Sequence, residues 1–182
     1  MSTYRRAKIM GGTYFFTVVT YRWQGFLCDE PVRNALREAI RETRTVCPFI
    51  IDGWVLLPDH MHCIWTLPSN DADNGKRWAM IKRFVTKQCG PLLHRDELMN
   101  DSKRRRNEST LWQRRFWEHV IRDETDYRTY MDYLHFNPVK HGMVKNVGDW
   151  PFSTFHKYVR EGIYPEHWGG SGETTQDQDF GE

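Results

Sequence analysis

The sequence is poor in cysteine: 182 residues contain four, Cys28, Cys47, Cys63 and Cys89, and none belongs to a C-x-x-C pair. Structural zinc sites are built from such half-sites, so a zinc-stapled module is excluded and the four are read as reduced, mostly buried thiols. No apolar run approaches the ~20 residues that a membrane-crossing helix needs. No apolar leader opens the chain and no internal repeat is visible. These absences point to a cytoplasmic protein with no membrane partner. There is little net charge either. The 26 Lys and Arg against 24 Asp and Glu leave +2, which by itself argues for no partner of either sign.

What is present is unevenly spread. Residues 1–75 and 123–160 are each neutral, residues 76–122 carry 13 basic against 5 acidic side chains, and residues 161–182 carry 6 acids and neither Lys nor Arg. A basic middle and an acidic end are therefore hidden in the total. With 39% hydrophobic and 14% aromatic residues the chain has material for a real core, and its length fits one domain. We place that domain at 1–168 and read 169–182 as a disordered acidic tail, expected to compete with an anionic ligand for the basic surface.

Periodicity gives the elements. Thr13–Tyr21 is β-branched and aromatic and reads as a strand, and Pro31–Thr45 reads as a helix burying Val32, Leu36, Ala39 and Ile40. Phe49–Leu57 and His60–Leu67 read as paired strands around the turn Pro58-Asp59. A basic amphipathic helix follows, with Trp78, Ile81 and Val85 on one stripe and Lys76, Arg77, Lys82, Arg83 and Lys87 around the rest, ending near Gly90. Residues 91–110 show little periodicity and predict a mobile basic loop; Leu111–Arg122 reads as a strand. Asp123 is placed to cap a helix that should stop near Phe136, before Pro138. The order predicts an α+β, ferredoxin-like sandwich, an antiparallel sheet covered by helices.

His60 and His62 flank Met61 within LPDHMHCIWTLP. On a strand they share one face while Met61 and Cys63 take the other, so two imidazoles can share a divalent metal. H-x-H alone is a weak signal, since a histidine pair is as often structural. Tyr133 and Asn137, four apart on the predicted helix, share a face and would add a nucleophile and an amide oxygen as third ligand. A phenol is a poor nucleophile near its free pKa of ~10, but a metal-activated phosphate would let it attack phosphorus and form a phosphotyrosine. Oxygen-rich coordination suits Mg²⁺ or Mn²⁺, and the imidazoles tilt it toward Mn²⁺. Equally, Tyr133 could sit at the edge of a core stripe made by Tyr127, Tyr130, Met131 and Leu134. The basic residues interleaved with Trp78, Trp112, Phe116 and Trp117 suit phosphate contact and base stacking, or else a solvated face over core tryptophans.

YRR before Gly-Gly-Thr, WVLLPDHMHCIWTLP, WQRRFWEHVIRDETDYRTYMDYLHFNPVKHG and DWPFSTFHKYV occur in that order between Tyr4 and Trp168. Together they resemble the REP-associated tyrosine transposases, relatives of the single-tyrosine HUH transposases of small bacterial insertion sequences. The resemblance implies a ferredoxin-like HUH fold and metal-dependent cleavage and rejoining of single-stranded DNA carrying REP hairpins, through a 5′-phosphotyrosine. By position, His60 and His62 match the HUH pair, Tyr133 the nucleophile and Asn137 the polar third ligand. Arg5, Arg6, Arg114 and Arg115 lie in the shared segments and are expected DNA contacts, joined by Lys82 and Arg83 of the basic helix. Residues 91–110 are longer than the family's connection, so no contacts carry over there. A monomer is favoured, because histidines and tyrosine can meet within one chain, with a homodimer as the alternative. Two rival functions remain: a hairpin-binding protein that does not cut, and a metal phosphodiesterase whose nucleophile is water.

Overall fold

Segments dense in β-branched and aromatic residues become the three long strands of one sheet: β1 (Thr13–Val19), β2 (Ile50–Leu56) and β3 (His60–Thr66), joined by the short β4 (Trp117–Val120). The computed structural model describes residues 8–169. Among the described residues five α-helices accompany the strands: α1 (Glu30–Val46), α2 (Asn74–Leu93), α3 (Asp101–Arg105), α4 (Glu124–Lys140) and α5 (Phe155–Arg160). The strand order is β2-β3-β1-β4, with every neighbouring pair antiparallel. β1 and β2 thus run parallel with β3 between them, and β3 and β4 run parallel with β1 between them. These are the two interleaved split β-α-β units of the ferredoxin-like arrangement.

Alternation along the strands sorts the side chains into two cores. Tyr14, Phe16 and Val18 of β1 and Met61, Cys63 and Trp65 of β3 pack with Val32, Leu36 and Ala39 of α1 and Trp78, Ile81 and Val85 of α2. The indoles of Trp65 and Trp78 stack there, centroids 4.3 Å apart and planes 18° from parallel. Phe15, Val55 and Ile64 face the other way, toward Tyr130, Met131, Tyr133 and Leu134 of α4. The sheet is therefore sandwiched, with α1 and α2 on one side and α4 on the other.

Gly53 permits the close seat of α4. A Cβ at that position would lie 2.9 Å from Met131 Sδ and 3.3 Å from Leu134 Cδ1, and β2 shifts register between Ile51 and Gly53. The outer edge of β2 is covered by residues 152–154: Leu56 N–H donates to the Phe152 carbonyl (2.9 Å) and Thr154 N–H to the Trp54 carbonyl (2.8 Å). An open edge would invite pairing with other chains.

Several sequence expectations need correction. The strand expected over 111–122 is only Trp117–Val120; Leu111 and Trp112 are buried apolar residues outside it, and Trp112 makes an isolated bridge to Thr20. α4 does not stop at Phe136 but continues through Pro138 to Lys140. Proline lacks one amide donor, yet the last turn closes through His141 N–H to the Asn137 carbonyl (3.0 Å) and Met143 N–H to the Pro138 carbonyl (2.9 Å). α2 likewise runs on to Leu93 through Pro91. The segment 91–110 is not structureless: it holds α3 and a 3-10 turn at Asp96–Leu98. Its Lys103, expected in a basic loop, is buried and donates to the Ser109 carbonyl at 2.8 Å.

Arg77, read as part of a solvated basic face, is fully buried. Its guanidinium donates to the carbonyls of Asp73 (2.9 Å) and Pro48 (2.6 Å) and to Asp71 Oδ2 (2.7 Å). The hydrogen bond from Arg77 holds the Asp71 carboxyl down at about 2. The cysteines are free thiols, three of them buried, and burial pushes the Cys28 thiol up to about 11.

After β1 the chain makes a 3-10 turn, Tyr21–Trp23, in which Arg22 (φ 55°, ψ 34°) and Trp23 (φ 55°) both occupy the left-handed region. For residues bearing a Cβ this conformation costs ~1–2 kcal/mol each. Surrounding bonds hold it: Gln24 Nε2 donates to the Tyr21 carbonyl (2.8 Å) and the Thr110 carbonyl (2.7 Å), and Tyr21 N–H to the Leu111 carbonyl (2.9 Å).

Candidate active site

β3 carries His60 and His62 two positions apart, so both imidazoles face α4 and both are buried, 1% and 0% exposed. Their rings stand 4.9 Å apart, centroid to centroid. Nδ1 of His60 is 2.7 Å from Asp59 Oδ1, and Nδ1 of His62 is 2.9 Å from Thr17 Oγ1, supplied by the facing register of β1. With Nδ1 committed in each ring, Nε2 is the nitrogen each would present to a cation. A carboxylate behind the imidazole is the usual backing of a ligating histidine.

α4 supplies the opposite wall. Its N-terminus is capped as expected, the Asp123 carboxylate accepting from Asp126 N–H at 2.8 Å. Tyr133, 2% exposed, sets its ring 5.4 Å from the His62 imidazole and 6.1 Å from Phe15. Lys140 Nζ donates to Tyr133 Oη at 3.1 Å and lies 4.9 Å from the ring centroid. His141, just past the helix, sets its ring 5.0 Å from His60. Tyr133, Asn137 and His141 follow one another at four-residue steps, hence along one helical stripe. One end of that stripe meets His62 and the other His60. Asn137, fully buried, occupies the position between.

Two imidazole nitrogens and an amide oxygen form a borderline donor set that fits a small divalent cation. Among the described residues no group of three or more His, Cys, Asp or Glu side chains is placed to hold a metal ion. Any such ion would therefore depend on the Asn137 amide or a similar oxygen.

The structure brings His60, His62 and Tyr133 together within a single chain. It adds Asp59, Thr17, Lys140 and His141, which sequence reasoning passed over. Asp59 was visible only as half of a turn, Lys140 and His141 stood beyond the expected helix end, and Thr17 is known as a partner only from strand register.

Arg5 and Arg6 lie outside the described residues, as does the tail 169–182 apart from Gly169. Lys82 is partly buried: its Nζ donates to the Gln113 carbonyl at 2.9 Å and stands 5.8 Å from the rings of both Trp112 and Phe116. Arg83 is exposed. Arg114 and Arg115 line one polar recess with Tyr21, Asn100 and Lys103, and Arg114 is bidentate to Glu108 (2.7 and 3.1 Å). No helix among the described residues is long and apolar enough to cross a membrane.

No family model matches the chain. It is 48% identical over 170 residues to the REP-associated tyrosine transposase of Escherichia coli (strain K12), covering 93% of this chain and 92% of that protein. A protein of Haemophilus influenzae named for the same family is 44% identical over 172 residues, covering 94% of this chain and 95% of its own length. A solved structure of a REP-associated tyrosine transposase bound to a REP hairpin superposes with a TM-score of 0.80 at 47% identity, over 97% of this chain and 95% of that one.

Proposed function

The chain belongs to the REP-associated tyrosine transposases, and from that premise we propose that it cleaves and rejoins single-stranded DNA at or beside a REP-type hairpin, with Tyr133 as nucleophile. The observation that carries this is the 5.4 Å approach of the Tyr133 ring to His62 across the interface of α4 and the sheet. Tyr133 Oη attacks the scissile phosphorus. The new Oη–P bond replaces the bond from phosphorus to the 3′ oxygen, which leaves as a hydroxyl, its gained proton balancing the one the phenol loses. A 5′-phosphotyrosine remains. Attack on it by a 3′-hydroxyl restores a phosphodiester and the phenol, so joining needs no external energy source.

His60, His62 and Asn137 would hold a divalent cation, Mg²⁺ or Mn²⁺, whose Lewis acidity polarises the scissile phosphate. Asp59 and Thr17 fix the imidazoles through Nδ1. The Lys140 ammonium, 3.1 Å from Tyr133 Oη, orients the phenol and favours negative charge on that oxygen as it attacks. One chain holds the nucleophile and the histidines, so a monomer suffices for the chemistry. Residues 1–168 act as one catalytic domain in this reading. The exposed Arg83, Arg114 and Arg115, with Arg5 and Arg6, would contact the DNA, whereas Lys82 is engaged in packing.

The test is incubation with Mn²⁺ and a single-stranded oligonucleotide carrying a REP-type hairpin, resolved on a denaturing gel. A covalent protein–DNA adduct is expected from the natural chain. Tyr133→Phe abolishes adduct and cleavage while hairpin binding survives. Cleavage without an adduct would replace the tyrosine mechanism by a water nucleophile, and binding without cleavage would leave a hairpin-binding protein.

A further inference from the structure

The site is buried, yet DNA must reach it. Two exposed residues set their rings against His60: His141, at 5.0 Å, and Trp23, at 5.7 Å with planes 77° apart. Trp23 belongs to the group of large hydrophobic side chains that remain open to solvent, at 44%. Both Trp23 and the preceding Arg22 take left-handed backbone dihedrals. Strain of this kind persists only where the surroundings over-determine it, and it gathers at ligand-binding sites.

The surroundings do over-determine it. Besides the bonds from Gln24, the Thr20 hydroxyl lies 2.8 Å from the Asp59 carbonyl oxygen, and Thr20 N–H donates to that same oxygen at 2.9 Å. The turn is thus tied to the residue immediately preceding His60. The first residue of the turn, Tyr21, sets its ring 4.1 Å from Lys103 Nζ, and its hydroxyl accepts from Asn100 Nδ2 at 3.1 Å. Tyr21 also lines the polar recess that holds Arg114 and Arg115. One three-residue turn therefore spans from a recess with two arginines to the mouth of the histidine site.

We propose that Trp23 is a base-stacking residue: a nucleobase next to the scissile phosphate stacks on its exposed indole face as the strand passes from the Arg114–Arg115 recess to the site beside His60. Gln24 and α3 act as positioning groups that keep the indole turned outward. This rests on the DNA-cleaving reading above and adds to it the residue that grips the unpaired strand. Aromatic stacking tolerates any base because every base has a π face, so Trp23 would contribute grip more than sequence choice.

The test uses the full chain carrying Tyr133→Phe, so that binding is measured without turnover, and hairpin oligonucleotides with single-stranded flanks in which one nucleotide at a time is replaced by an abasic residue. One abasic position is expected to weaken binding about tenfold, as loss of one stacked base does. Trp23→Leu lowers affinity for the intact oligonucleotide about tenfold and makes that same position indifferent to base removal. Trp23→Tyr restores most of both. Hairpins without flanks bind all variants equally. An abasic profile unchanged by Trp23→Leu overturns the proposal, as does an equal loss at every position. An abasic-sensitive position that depends on Trp23, in a protein whose natural chain forms no adduct, keeps the stacking and removes the cleavage reading. An adduct-forming chain with an unaltered profile does the reverse.

Discussion

β3 sends two different chemistries to the two faces of the sheet. Toward α1 and α2 it contributes Met61, Cys63 and Trp65 to an apolar core, and toward α4 it contributes His60 and His62, backed by Asp59 and Thr17. The strand is one, and only the parity of position differs. The comparison teaches that on β3 the side chains proposed for chemistry and those of the α1–α2 core take opposite faces, although the α4 face has an apolar core of its own, so each set should be separately breakable.

The sharpest break is a matched pair. His62→Ala should eliminate adduct formation at a cost in stability of about 1–3 kcal/mol, from the loss of its buried bond to Thr17. Trp78→Ala, on the opposite face, removes an indole stacked on Trp65 and should cost about 3–5 kcal/mol, lowering the melting temperature by about 10 °C. Below its melting range that variant should still form adduct at the natural rate per folded molecule. If Trp78→Ala loses the chemistry while folded, the two faces are not independent. A finer cut is Asp59→Asn, which leaves both imidazoles in place but weakens the backing of His60. The Mn²⁺ concentration for half-maximal adduct should rise about 10–100-fold, with full rate regained at saturation.

The smallest effect concerns a histidine on the α4 side that serves packing. His135 is buried, its Nε2 lies 3.1 Å from Thr154 Oγ1, and burial, reinforced by the charge of His156, lowers it to about 3. Unfolded, it titrates near ~6.5. Above that pH both states are neutral there and no stability depends on it. As pH falls from about 6.5 toward 3 the unfolded chain takes up a proton that the folded one refuses, so stability is lost across that window. His135→Gln cannot charge and should flatten the acid limb in melts between pH 7 and 4. An unchanged limb would place the acid sensitivity in other groups.

The legible parts of the molecule were those governed by one local period. Alternation placed His60 with His62 and apart from Met61 and Cys63, and four-residue spacing put Tyr133 and Asn137 on one face. What stayed hidden depended on partners distant in sequence. Arg77 has the composition of a solvated residue, and only the Asp71 carboxylate and the Pro48 carbonyl make its burial possible. Leu111 and Trp112 extended the apparent fourth strand because they are apolar, although they pack beside the sheet without joining a strand. By composition Pro138 signals a stop, but a proline so near a helix end forfeits a single bond, and the turn beyond it delivers Lys140 to Tyr133 and His141 to His60. Trp23 gave no periodic signal at all, since its placement is a matter of backbone handedness.

Thr17 pairs with His62 on one side of β1 and with Trp117 on the other. The tyrosine follows later still, 71 positions after His62. As the chain grows from its N-terminus, both histidines are made and can enter their hairpin long before residues 117–140 exist to flank them. The tyrosine proposed as nucleophile is therefore the last major part of the candidate site to arrive, and contacts of such long sequence separation form slowly. On the proposed mechanism, a polypeptide cut short between β3 and α4 carries the histidines and no nucleophile, so such an abortive product would be inert by its order of assembly.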